Sequence, residues 1–159
     1  KFLYSELGHN VKMNEAGAAF GLEQLKRLNG FLKKRTYNFN KLKKFFRKYE
    51  KWLQLPYLLE GAKTNWLAFP LTVRKDAPFT RYDFLKHLES KGIQTRVLFS
   101  GNITRHPVYK NIRLRISGSL KNADTIMAYS LLLGCHQALT DKDIEYIGST
   151  SEEFFKKYA

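Results

Sequence analysis

Arg96, Asn102 and Arg105 are the residues whose type and spacing best suit a chemical role. They fall in the run Arg96-Val97-Leu98-Phe99-Ser100-Gly101-Asn102-Ile103-Thr104-Arg105-His106-Pro107, where an alternating stretch gives way to a turn. Such strand ends are where ligands tend to meet an α/β scaffold. Two guanidinium forks suit diphosphate oxygens. Gly101 permits close backbone approach, and the Asn102 amide both donates and accepts. A structured loop whose arginines pair with nearby acids accounts for the same residues, and at this level both readings stand.

Other chemistry is thinly supported. There is no Gly-x-Gly-x-x-Gly, no P-loop and no Gly-x-Ser-x-Gly. Four scattered histidines (His9, His87, His106, His136) and one cysteine, Cys135, give no metal-ligand spacing, so no metal is expected. His87 reads as a surface or boundary residue of a helix. Cys135 reads as a packing residue, since no base is placed beside it by motif.

Charge offers a competing function. The chain carries 28 Lys+Arg against 14 Asp+Glu, a formal +14. Eleven of those cations lie between Lys26 and Lys51, with one acid, Glu50. A nucleic-acid surface, an anionic small-molecule substrate and a solvated helix face all fit such an excess. Lysines dominate the run and its aromatics follow core spacing, so the solvated face is favoured over a basic nucleic-acid-binding domain.

The elements that must position these residues follow from periodicity. With 159 residues, 43% apolar and 14% aromatic, the chain is long enough for one real core. No apolar run approaches membrane-spanning length, so no membrane contact is expected. A lone cysteine and an N-terminus without a secretory pattern point to a reducing, cytoplasmic location. The start, Lys1 and not Met, reads as a cut into a longer protein.

Residues 1–13 read as an entry segment. Residues 14–55 read as a helical connection. Asn14 is its expected N-cap; Ala18, Leu22, Leu25, Leu28 and Leu32 fall at helical spacing, and a break is expected at Asn29-Gly30. The small residues Ala16, Ala18, Ala19 and Gly21 suit close helix approach, and the apolar face over 14–28 is not expected to be fully buried within this domain. A second helix is predicted to about Trp52, with Phe39, Leu42, Phe46 and Tyr49 as its stripe.

Residues 56–159 read as a small α+β domain. Leu67, Phe69, Leu71 and Val73 alternate as a strand, and Pro70 favours an edge. Thr80-x-x-Asp83 opens a helix through Phe84, Leu85 and Leu88, closed at Gly92. Ile93, Thr95, Val97 and Phe99 form a second strand, followed by a loop, 100–107, too polar for a core. Asn122 is the expected cap of a helix to Tyr129; Ser130–Gly134 is a third strand; Thr140-x-x-Asp143 opens a last helix carrying Ile144, Ile147, Phe154 and Phe155. The fold class predicted is α+β: a small antiparallel sheet covered by helices, with a long N-terminal helical segment.

Three runs carry a resemblance. Gly8-His9-Asn10-Val11-Lys12-Met13, then Ala18-Ala19-Phe20-Gly21-Leu22-Glu23-Gln24-Leu25, is similar to the signature of the DegT/DnrJ/EryC1/StrS sugar aminotransferase and dehydratase family. The run from Thr95 to Pro107 resembles its 3-dehydratase branch (closest to CDP-4-keto-6-deoxyglucose 3-dehydratases), as does Gly118 to Met127. Departures are His106, where that branch often has Gln, and Cys135-His136-Gln137, where an aromatic and Pro are usual.

The resemblance implies the small C-terminal domain of a fold type I enzyme dependent on pyridoxal or pyridoxamine phosphate. It implies a homodimer in which Asn10 reaches the phosphate of the partner subunit's cofactor. Arg96, Asn102 and Arg105 are implied to lie at or beside a site for a nucleotide-diphospho-sugar. The branch acts at a 4-keto-6-deoxyhexose, losing the C3 hydroxyl, and uses a His in place of the family's cofactor-binding Lys, at a position before Lys1. Some members hold an iron–sulfur (2Fe-2S) cluster through upstream cysteines and work with a reductase partner. No catalytic residue is implied in this chain, which is expected to be inactive by itself and to bind no cofactor. A nucleotide-sugar aminotransferase of the same family shares the first run and remains the alternative.

Overall fold

A computed structural model of the chain describes Glu6, Gly8, His9 and residues 11–159. Helix α1 spans Glu15–Phe46, and Asn14 caps it as expected, its Oδ1 accepting from the Gly17 N–H at 2.7 Å. The helix does not break at Asn29-Gly30. An interior glycine costs only about 1 kcal/mol relative to Ala, too little to stop a helix already propagating on both sides. The helix also stops short of Trp52: one 3₁₀ turn, Arg47–Tyr49, leads directly to strand β1, Leu53–Gln54.

Strand β2 (Ala68–Val73), helix α2 (Arg81–Ser90), strand β3 (Thr95–Val97), helix α3 (Lys121–Tyr129), strand β4 (Ser130–Gly134) and helix α4 (Asp141–Phe155) follow. The sheet order is β1-β2-β4-β3, antiparallel throughout. Residues that pair across strands share a face. Leu53 opposite Val73, Leu71 opposite Leu131, and Phe69 and Thr95 both opposite Leu133 make one face, and all of them are buried. Helices α1 and α2 pack against the sheet, and α4 packs against both of them. The resulting core is aromatic at its centre, with Phe46, Phe69, Phe84 and Phe155 each almost fully buried.

Two threonine caps start α2 and α4. Thr80 and Thr140 each accept from the N–H three residues on, while Asp83 and Asp143 reciprocate, and both boxes form as predicted. These short-range bonds satisfy donors that the first helical turn would otherwise leave open. Gly92, at φ +77°, turns the chain out of α2.

Four expectations need correction. Leu67 lies outside β2 and is exposed. Pro70 belongs to an interior strand of the order, yet β1 reaches only Val73 and Thr72, so β2 has no strand beyond it at Pro70. The strand expected to reach Phe99 ends at Val97, because Phe99 adopts φ +49°. Asn122 does not cap α3: the N-cap is Leu120 and makes no side-chain bond.

The basic run on α1 is partly neutralised by α4. Lys41 lies 3.2 Å from Asp141 and 3.8 Å from Glu145, and Lys48 lies 3.3 Å from Glu152. Gly148 lets the Phe45 ring approach between the helices, 3.0 Å from where a Cβ would sit. The first half of α1 has no such partner among the described residues: Phe20, Leu22, Leu25 and Leu28 remain exposed, in line with an apolar face that is not fully buried.

Candidate functional site

The candidate site grows from the end of β3. After Val97 the chain turns through Leu98-Phe99-Ser100-Gly101, closed by the Gly101 N–H donating to the Leu98 carbonyl at 3.2 Å. Gly101 takes φ +59° and lies against α3, where an added Cβ would stand 2.4 Å from the Met127 Cβ and 2.6 Å from its Cα. Only glycine meets both demands, conformation and space.

Asn102 then turns inward. It is 3% exposed, which overturns the expectation that the whole 100–107 loop is too polar to be buried. Burial is tolerated because every polar atom of its amide oxygen and nitrogen finds a partner. Its Nδ2 donates to Asp124 Oδ1 at 2.6 Å, while its Oδ1 accepts from the Thr104 N–H at 3.1 Å and hydroxyl at 2.7 Å. Arg105 grips the same carboxylate as a fork, Nε to Oδ1 at 3.1 Å and Nη2 to Oδ2 at 2.9 Å. Asp124 sits in the first turn of α3, where the helix dipole also favours a carboxylate. The Arg105 guanidinium, then the Asn102 amide, hold the Asp124 carboxyl below its ordinary range, and Asp124 in turn raises Arg105.

This arrangement is a clasp between the loop after β3 and the first turn of α3. It joins Asn102 and Arg105 through a residue, Asp124, that the site reading from sequence did not single out, although Asp124 lies in one of the three resembling runs. Arg96 is not part of it. Arg96 pairs with Leu132 across the sheet, on the face opposite Thr95 and the core, and its exposed guanidinium donates to the Thr95 carbonyl at 3.0 Å. Asn10 lies outside the described residues. Phe99, also not singled out, stands 85% exposed in a left-handed backbone conformation that bulky residues avoid. Such strain concentrates where a side chain is held for a purpose other than packing. Beside it a cavity of about 170 Å³ runs from Arg81 to Met127, too small for a whole nucleotide sugar.

The described residues do not make up a cofactor pocket. A pyridine nitrogen calls for a sheltered carboxylate, yet the buried polar residues are Asn38, Thr95, Asn102, Ser130, Thr150 and Ser151, none of them acid or lysine. No group of three His, Cys, Asp or Glu among the described residues is placed to hold a metal. His87 bonds to the Thr150 carbonyl at 3.0 Å and packs on Phe154. No helix among the described residues is long and apolar enough to cross a membrane.

Cys135 is fully buried and donates to the Trp66 carbonyl at 3.2 Å. Burial pushes its thiol up to about 11, so at pH 8 the thiolate that reacts is scarce. Iodoacetamide at pH 8 is therefore expected to label Cys135 only when urea is present. Labelling of the folded chain at the rate of a free thiol, followed by mass spectrometry, would contradict this.

Comparison with known proteins places this geometry in context. The pattern of the DegT/DnrJ/EryC1/StrS aminotransferase family matches residues 1–151. The chain is 37% identical over 155 residues to lipopolysaccharide biosynthesis protein RfbH of Salmonella typhimurium, covering 98% of the chain and 36% of that protein. It is 34% identical over 157 residues to a dTDP-4-dehydro-2,6-dideoxy-D-glucose 3-dehydratase of Saccharopolyspora spinosa, covering 99% and 34%. It therefore spans about a third of the length of these relatives. Among solved structures, an E. coli GDP-4-keto-6-deoxy-D-mannose-3-dehydratase with bound hydrated PLP superposes with a TM-score of 0.78 at 28% identity, over 94% of this chain and 38% of that one. An aminotransferase from Psychrobacter cryohalolentis superposes with a TM-score of 0.87 at 22% identity, over 99% and 42%, and shows the shared fold.

Proposed function

The chain belongs to the DegT/DnrJ/EryC1/StrS aminotransferase family, and from that membership we propose that it is the C-terminal, substrate-side part of a nucleotide-sugar 3-dehydratase dependent on pyridoxamine or pyridoxal phosphate. The substrate class is a nucleotide-diphospho-4-keto-6-deoxyhexose, in deoxysugar or lipopolysaccharide biosynthesis.

The clasp is the observation that carries this reading. The two runs that resemble the dehydratase branch, 95–107 and 118–127, are one physical unit: Gly101 lies on Met127, and Asn102 and Arg105 both bind Asp124. Relatives named as 3-dehydratases, at 34% and 31% identity, agree with it. In this reading Asn102 holds the loop, Arg105 and Arg96 bring positive charge to the sugar nucleotide, and Phe99 covers its apolar side. Asn10 reaches the cofactor phosphate across a homodimer interface. In this reading the role of this chain is recognition and orientation, and the chain alone is expected to be inactive.

A second reading, the same part of a nucleotide-sugar aminotransferase, is favoured by 32% identity over 150 residues to a dTDP-4-amino-4,6-dideoxy-D-glucose transaminase of Shigella dysenteriae. One experiment separates them. The full-length protein, loaded with cofactor, is given nucleotide-4-keto-6-deoxy sugars, and the products are weighed by mass spectrometry. Loss of the C3 oxygen is expected. A product carrying an amine at C4, formed at the expense of glutamate, would make the protein an aminotransferase.

A further inference from the structure

The clasp has a second consequence for the stretch it encloses. Asp124 bonds back to Asn102 and Arg105, so residues 106–123 leave and return at one neck. This loop holds Lys110, Arg113, Arg115 and Lys121 and no acid at all. Elsewhere some of the cations pair with acids: Lys34 and Lys41 on Asp141, Lys48 on Glu152, Lys91 on Glu153, Arg105 on Asp124. Among the described residues none of the four loop cations has an ion pair.

The loop is not an ordinary solvated surface either. Ile112, Leu114 and Ile116 alternate with Arg113 and Arg115, and these apolar residues are 51%, 41% and 55% exposed. Apart from a turn at Tyr109–Ile112, where the Ile112 N–H donates to the Tyr109 carbonyl, residues 113–117 take no helix, turn or strand pairing. Gly118, at φ +69°, then turns the chain back toward α3. An acid-free, unpaired, half-apolar loop on a rigid neck has the make-up of a ligand-covering element.

We infer that this loop is the diphosphate-binding element of the sugar-nucleotide site, with Arg113 and Arg115, two residues apart in the chain, as its forks. The inference rests on the proposed function, which supplies the nucleotide diphosphate. Two guanidinium groups spaced two residues apart match the paired anionic oxygens of a diphosphate better than one phosphate group. The clasp fixes where the loop emerges, beside the β3 end that carries Phe99.

The test uses the full-length, cofactor-loaded protein and titration calorimetry with CDP, GDP, TDP and UDP, each against its monophosphate. The diphosphate that binds the unaltered protein most tightly is expected to lose about a hundredfold in affinity in the Arg113→Ala/Arg115→Ala variant, from about tenfold for each charge-assisted bond. Its monophosphate is expected to lose tenfold or less, and the melting temperature to stay put. The Arg113→Lys/Arg115→Lys variant recovers part of the loss, since a point charge does not copy a fork. Unchanged diphosphate affinity in the alanine variant overturns the inference and leaves the proposed function standing. Equal losses for monophosphate and diphosphate also overturn it. No binding of any of the four by the unaltered protein overturns both. A single-stranded DNA oligonucleotide that binds more tightly than the diphosphates, with steep salt dependence, would reassign the loop to nucleic acid.

Discussion

Replacing Phe155 with Ala is expected to cost about 3–5 kcal/mol of stability, the range for a large aromatic lost from a packed core. Phe155 is 1% exposed and sits where six other rings converge: Tyr49 at 4.2 Å, Phe84 at 5.1 Å, Phe79 and Phe154 each at 5.6 Å, Trp52 at 5.9 Å and Phe46 at 6.5 Å between centroids. Those rings come from α1, the turn after it, the segment before α2, α2 itself and α4. They cannot all move into the vacated space, so a cavity remains and its walls lose dispersion contacts. Equilibrium urea denaturation of the chain measures the loss as a shift in midpoint. The control is Phe20→Ala, at 69% exposure, with an expected change below about 0.5 kcal/mol. A Phe155 variant within about 1 kcal/mol of the unaltered chain would show that this aromatic centre is loosely packed.

Gly101→Ala has the second largest expected effect, and it reaches the site directly. The new methyl would stand 2.6 Å from the Met127 Cα, a backbone atom that cannot swing aside. The left-handed φ of +59° adds roughly 1–2 kcal/mol for a residue with a Cβ. The loop can relieve both by peeling off α3, which caps the cost at the free energy of that local opening. An overall loss of about 1–3 kcal/mol is therefore expected, together with rupture of the Asn102–Asp124 bond. Denaturation measures the first, and the side-chain amide resonance of Asn102 reports the second. Met127→Ala should not rescue the variant, since the Cα and Cβ that crowd position 101 both remain. If Gly101→Ala leaves that resonance unmoved, the close approach to α3 does not hold the loop. Under the proposed function the same change also weakens sugar-nucleotide binding, because Arg105 and the neck of the cationic loop lose their anchor.

The starts of α2 and α4 were legible residue by residue, because a capping box is complete within four positions: Thr80 with Asp83, Thr140 with Asp143. The limits of β4 were legible for a similar reason, a short apolar run bounded by a helix end and a glycine. The site was legible only in part. Gly101, Asn102 and Arg105 stood out by type, and the resemblance tied their run to that of Asp124, yet neither showed that the two runs touch. Nothing in local spacing distinguishes an Asn that faces a ligand from one that is 3% exposed and fully bonded. Phe99 passed unnoticed because alternation continued its strand on paper, while its backbone turns left-handed to bring Gly101 onto α3.

What the sequence determined by itself is the set of interactions closed within a few residues: caps, alternation, helical spacing, and the residue types that make a loop suited to anions. What only the tertiary structure decided is everything that depends on two distant segments meeting. Lys41 and Asp141 lie a hundred positions apart, and their pairing turns part of an apparent excess of charge into a helix–helix contact. Arg96 and Thr95 are neighbours in the chain, but the pleat sends one to the open face and the other to the core. Asp124 reaches across 19 and 22 positions to Arg105 and Asn102, and closing that loop costs conformational entropy which local preference does not repay. The fit of Gly101 against Met127 repays it, and that fit exists only once α3 has docked beside the end of β3.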